Sequence, residues 1–74
     1  AVDPKTLLQE LVQSTPGTTY EYRVVSVKGP DHKTVYNVMC VINGEKVSSG
    51  EGGSKKEAEE EAAKNYLVKR GFSD

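Results

Sequence analysis

The residues best suited to binding chemistry are two lysines at the start of a helix predicted near the end of the chain. Ser54 is a good N-cap residue, and Glu57 three positions later completes a capping-box pattern. Lys55 and Lys56 fall between them, where the partial positive charge of a helix N-terminus disfavours cations. The glycines in the run 50–53 let a ligand approach the backbone closely. Together these features predict a phosphate-binding end. The alternative is that both lysines are ordinary solvated surface residues.

Catalysis and metal binding find little support. The chain contains one histidine and one cysteine, whereas a zinc site needs three or four such ligands close together. Cys40 lies in the middle of a predicted strand, so a small buried hydrophobic residue is favoured over a nucleophile. The four glutamates at positions 57 and 59–61 are spread around a helix, which is typical of a solvated face. We therefore expect no metal ion, no cofactor and no catalytic site in this chain.

Length and charge place limits on the class of protein. The 74 residues predict one small domain spanning 1–74, with its core between residues 3 and 70. Ten basic and eleven acidic residues give a net charge of −1, which taken globally argues against nucleic-acid binding. Phosphate contacts are local, however, and the lysines lie at the helix tip while the glutamates lie in its middle. The single cysteine and the absence of a signal-peptide pattern favour a cytoplasmic location. From the start at Ala1 without methionine we expect either a piece of a longer protein or a processed chain.

The apolar pattern predicts five elements in the order α-β-β-β-α. Asp3 and Pro4 begin a helix that ends near Ser14, before the breaker at 15–17. Strands are predicted at 20–28, 34–42 and 45 to about 51, the last two joined by the Asn43-Gly44 hairpin turn. The second helix runs from about 55 to 70, with Gly71 as its C-terminal cap.

These elements predict an α+β fold in which both helices pack on one face of a three-stranded antiparallel sheet. Alternation in the middle strand assigns one set of side chains to the helix-facing side: Tyr36, Val38, Cys40 and Ile42. The opposite side is assigned to the other set: Val35, Asn37, Met39 and Val41.

Over residues 3 to about 70, the chain resembles a double-stranded-RNA-binding domain (dsRBD). The pattern G-x-G-x-S-K-K-x-A-x-x-x-A-A over residues 50–63 is highly specific for that family. The segments D-P-K-T-x-L-Q-E over 3–10 and G-P-D-H over 29–32 resemble one branch in particular, the C-terminal domain of bacterial ribonuclease III.

The resemblance implies that three groups of residues contact one face of an A-form RNA duplex. The group on the first helix would hydrogen-bond 2′-hydroxyls and base edges in one minor groove: Thr6, Gln9 and Glu10. In the loop group, His32 would enter the next minor groove together with the carbonyls around Pro30 and Asp31. The group at the start of the second helix would bridge the phosphates of the intervening major groove: Ser54, Lys55 and Lys56.

The resemblance also carries expectations about the parent protein. It implies that this chain binds substrate for a ribonuclease III, whose magnesium-dependent nuclease chemistry belongs to a separate domain absent here. The parent enzyme would be a homodimer and this domain a monomer, with no membrane or small-molecule partner. Glu59 stands where many family members carry a third basic residue, so we expect modest affinity for RNA.

A second class of function stays open at the level of sequence. Some domains of this fold have lost RNA binding and instead dimerise or recruit proteins. Met39 and Val41 on the outer sheet face, together with the net acidity, would favour such a protein-interaction module.

Overall fold

The computed structural model describes residues 3–72, apart from the side chain of Asp31. The elements are α1 (Pro4–Gln13), β1 (Tyr20–Lys28), a short 3-10 helix (Asp31–Lys33), β2 (Val35–Ile42), β3 (Glu45–Gly52) and α2 (Lys55–Lys69). The predicted order is confirmed, and the 3-10 helix is an addition within the predicted loop. The predicted domain limits at residues 1 and 74 lie outside the described residues.

Local signals at the element ends account for these bounds. The Asp3 carboxylate accepts from the Lys5 backbone N–H and caps α1. Asn43 and Gly44 both have positive φ, 52° and 80°, as the two-residue hairpin turn requires. Gly71 has φ +96°, and its N–H bonds to the Val68 carbonyl while the next N–H bonds to the Leu67 carbonyl. That pair of bonds is a Schellman motif, so the predicted cap of α2 is confirmed.

The three strands form one antiparallel sheet in the order β1-β2-β3. Two irregularities interrupt its register. Val25 has no partner where the β1–β2 pairing steps from Val24 to Ser26, and Val47 has none where the β2–β3 pairing steps across it. Such bulges bend a strand and change which residues face the core.

Both helices lie on one face of this sheet, as predicted. α2 covers β2 and β3, while α1 packs along α2. Leu8 and Val12 of α1 meet Cys40 and two alanines of α2 in the core, Ala62 and Ala63. Small residues at this point let α2 lie close to the sheet, and the Ser48 hydroxyl donates a buried hydrogen bond of 2.7 Å to the Ala62 carbonyl. None of the helices described is long and apolar enough to cross a membrane.

The outward position of Val41 does not make it accessible. Val41 is 2% exposed and Met39 is half-buried. The cross-strand neighbours of Val41 are Glu21 and Lys46. Cross-strand neighbours share a face of the sheet, and long side chains cover apolar neighbours with their methylene groups. The apolar outer surface expected from Met39 and Val41 is therefore largely covered.

Candidate nucleic-acid interface

Strand register brings the loop between β1 and β2 to the same end of the sheet as the start of α2. Gly52, the last residue of β3, pairs with Tyr36, and Tyr36 pairs with Val27. The loop leaves the sheet one residue after Val27, at Lys28. Two residues after Gly52 the chain reaches Ser54, the N-cap of α2. Two of the three groups of RNA-contacting residues predicted from the sequence are thus neighbours in the fold.

The start of α2 has the capped, lysine-bearing form that the sequence predicts. The Ser54 hydroxyl accepts from the Glu57 backbone N–H at 3.1 Å. Lys55 and Lys56 are exposed, and within residues 3–72 neither side chain forms a hydrogen bond or an ion pair. An N-terminal helical turn with two unpaired ammonium groups is suited to an anion, because the backbone N–H groups and the dipole act in the same direction as the lysines.

The glycines before this turn serve the fold more than a ligand. A Cβ on Gly50 would overlap the backbone N of Ala62, and one on Gly52 would lie 2.8 Å from the Ala58 N. Of these glycines, only Gly53 could take a Cβ without overlap, because the nearest atom would be the Glu57 carboxylate oxygen at 3.7 Å. The spacing of Gly50 and Gly52 therefore reflects the close approach of β3 to α2. The sequence analysis did not predict this contact.

On α1, the predicted residues share an exposed face. Thr6, Gln9 and Glu10 are all exposed, and their spacing of three and four residues places them on one side of a helix. The Thr6 hydroxyl donates to the Asp3 carboxylate at 3.4 Å, so the N-cap residue also orients this side chain. The opposite side of the helix buries Leu8. The three polar side chains therefore form an exposed face that a partner can reach.

The loop is a tight turn that presents His32. Gly29 has φ +98°, and a Cβ there would overlap the Lys33 carbonyl, so only glycine fits. The Pro30 carbonyl accepts from the Lys33 N–H at 2.7 Å and from the Thr34 hydroxyl at 3.2 Å. These two bonds use both lone pairs of that carbonyl within the loop. His32 is exposed, Pro30 is exposed, and the Asp31 side chain lies outside the described part of the structure.

The structure adds Lys5, which the sequence analysis did not single out. Its Nζ donates to the Glu59 carboxylate at 2.7 Å and lies 5.2 Å from the centre of the Tyr22 ring. Glu59, expected as an acid near the phosphates, is therefore neutralised from α1. No local pattern could reveal a contact between residues 54 positions apart.

Nucleophile and metal chemistry are not supported in the described residues. Cys40 is fully buried, and burial raises the pKa of its thiol to about 11, so the reactive thiolate is scarce at neutral pH. Among residues 3–72, no group of three or more histidine, cysteine, aspartate or glutamate side chains could hold a metal ion.

Comparisons with known proteins match the chain to one family. The family model described as "Double-stranded RNA binding motif" matches residues 4–69. Two curated relatives, the proteins named Ribonuclease 3 of Streptococcus pyogenes serotype M5 (strain Manfredo) and of serotype M1, are each 47% identical over 66 residues. The alignment covers 89% of this chain but only 29% of each relative, so the chain spans less than a third of their length.

A solved structure shows the same fold. The solution structure of both dsRBDs of DRB4 with their linker superposes with a TM-score of 0.57 at 30% identity, covering 99% of this chain and 48% of that one.

Proposed function

Because the chain belongs to the double-stranded RNA binding motif family, we propose that it binds an RNA duplex by shape, through 2′-hydroxyl and phosphate contacts. The observation that carries this proposal is the capped turn at the start of α2. Its two unpaired lysines lie at the same end of the sheet as the exposed His32 loop.

In this proposal, Lys55 and Lys56 neutralise phosphates across the major groove. Ammonium groups suit phosphates as point charges and carry no sequence information, and the free N–H groups of the first turn add to the attraction. Ser54 fixes the geometry of the turn by capping it.

The other two groups would lie in successive minor grooves. Thr6, Gln9 and Glu10 offer hydroxyl, amide and carboxylate groups that can hydrogen-bond a 2′-hydroxyl. Lys5 lies over Tyr22, and Lys28 at the loop is six positions further along β1, a distance of about 20 Å. Two contacts that far apart suit separate sections of one duplex and not a single base pair.

We further propose that the domain supplies substrate binding to a ribonuclease III that cleaves double-stranded RNA. The 47% identity to proteins named Ribonuclease 3 supports this. The nuclease domain would contribute the magnesium-dependent chemistry and homodimerisation, in the cytoplasm, and tethering would raise the effective affinity of this domain for RNA. The domain itself would be a monomer.

The protein-interaction alternative is not favoured. It depended on an apolar outer sheet face, and Val41 is only 2% exposed there.

The test is a titration of the 74-residue chain with a duplex RNA of about 20 base pairs, longer than the ~16 base pairs that such domains span. The same-sequence DNA duplex is the first control. Lys55→Ala/Lys56→Ala should abolish measurable binding. The control variant Lys46→Gln/Lys64→Gln removes the same charge at positions outside the three groups while keeping most of each side chain, and should retain binding. Equal affinity for RNA and DNA would refute the 2′-hydroxyl readout. Absence of RNA binding at low salt would refute the proposed function and return attention to protein partners.

A further inference from the structure

The first turn of α1 is tied to the second turn of α2 by one ion pair. Lys5 Nζ lies 2.7 Å from Glu59 Oε1, and the two side chains are 33% and 15% exposed. The ammonium group also lies over the face of Tyr22, which adds a cation–π attraction. Partial burial of this kind shields the pair from solvent and salt far more than an exposed surface pair.

The ion pair lies next to the two predicted RNA-binding groups that are on helices. Lys5 precedes Thr6 directly and lies one turn before Gln9 on the same helix. Glu59 lies one turn after Lys55 on the same side of α2. The pair therefore lies between the minor-groove group of α1 and the phosphate group of α2.

The first turn of α1 is less buried than the rest of the helix, because its apolar residues Pro4 and Leu7 are only half-buried. The fully or nearly buried residues of the helix are Leu8 and Val12, which anchor its middle and its end. In the first turn, Lys5 is the residue that reaches α2 through a direct bond.

We propose, on the premise that the domain binds RNA as argued above, that the Lys5–Glu59 pair is a positioning contact. It holds the first turn of α1 at a fixed distance and angle from the start of α2, so that the two groups meet the duplex together. Lys5 and Glu59 act through their neighbours in this role, and neither needs to touch RNA.

Replacing Glu59 separates this proposal from simple charge attraction. Glu59→Gln removes an acid near the proposed phosphates and leaves Lys5 only a neutral amide oxygen as acceptor, so charge attraction alone predicts tighter binding. A positioning role predicts weaker binding, because a neutral hydrogen bond holds the two helices together less firmly than the ion pair does. The two accounts differ in sign.

The experiment measures RNA affinity for the 74-residue chain and four variants. Glu59→Gln and Lys5→Met should each weaken binding about three- to tenfold, and the double variant should be no weaker than the worse single one, as coupled residues are not additive. Lys5→Arg keeps a cation for Glu59 and for Tyr22, and should restore near-native affinity. Glu61→Gln is the matched control. It removes the same charge from the side of α2 that lines a hollow with Ser49 and Asn65, so affinity should change less than twofold.

Repeating the titrations at about 0.3 M salt adds a second readout. Screening suppresses a gain from long-range charge, whereas the loss from misplaced helices persists. Circular dichroism melts confirm that each variant is folded at the assay temperature. Equal or tighter binding by Glu59→Gln would overturn the positioning role while leaving the proposed function intact. If the unaltered chain does not bind RNA, the proposed function fails first. A failure of Lys5→Arg to restore affinity in a folded variant would also overturn the inference.

Discussion

Replacing Gly50 by alanine should destabilise the domain through the contact between β3 and α2. The new methyl group would overlap the Ala62 backbone N and lie 2.7 Å from both the Ala58 carbonyl O and the Glu61 carbonyl C. All three atoms belong to the helix backbone, which cannot rotate away as a side chain can. Relief needs a movement of α2 away from the sheet by about 1 Å, given the normal carbon contact distance.

Three effects determine how much Gly50→Ala lowers the free energy of unfolding. Overpacking of this kind costs about 1–3 kcal/mol, and more where backbone must move. A shift of α2 also weakens the buried bond from Ser48 to Ala62, worth about 1 kcal/mol. Alanine restricts the unfolded chain more than glycine does, which offsets about 0.4–1 kcal/mol. The net loss is about 2–3 kcal/mol, a large share of the roughly 4–11 kcal/mol expected for 74 residues.

Thermal unfolding followed by circular dichroism measures this loss directly. We expect the midpoint of Gly50→Ala to fall by about 10–20 °C, since 1 kcal/mol shifts Tm by about 4–8 °C in a domain of this size. Gly53→Ala is the matched control, because its Cβ would meet nothing closer than 3.7 Å and it should shift Tm by no more than a few degrees. An unchanged Tm for Gly50→Ala combined with lost RNA binding would refute the packing argument. It would restore the interpretation that this glycine admits a ligand.

Three further results are expected. In a salt series, the logarithm of the RNA association constant should fall by about 2–3 per decade of salt concentration, because two or three phosphates are neutralised. Lys55→Ala and Lys56→Ala should each reduce that slope by about 1. Ser54→Ala should lower the free energy of unfolding by about 1 kcal/mol in urea denaturation, because the Glu57 N–H loses its acceptor; no change would contradict the capping role. Burial raises the pKa of Cys40 from 9.0 to about 11. As the pH rises, the thiol therefore loses its proton in the unfolded chain before it does so in the folded one. The free energy of unfolding should fall by up to about 2 kcal/mol between pH 9 and 11. Cys40→Ala should remove that part of the pH dependence.

The sequence predicted most of the fold because the decisive signals are local. Asp3 before Pro4, the Asn43-Gly44 pair and Gly71 each specify a backbone geometry within a few residues. The capped lysine turn was predictable for the same reason. The bulges at Val25 and Val47 were not, because they depend on how neighbouring strands twist and not on the residues themselves. The ion pair from Lys5 was missed because only the assembled fold brings its two residues together.

The net charge of the whole chain does not predict the charge of the proposed RNA-binding surface at the start of α2. A net charge of −1 argues against RNA binding only if the acids lie near the phosphates. Glu59, one turn from Lys55, is neutralised by Lys5, and Glu61 lies toward the β3 edge. At the helix tip the two unpaired lysines, Lys55 and Lys56, outnumber the single first-turn acid, Glu57, so the local charge is positive although the molecule is acidic. The affinity of the domain should therefore depend on whether Glu59 keeps its partner more than on the total number of acidic residues.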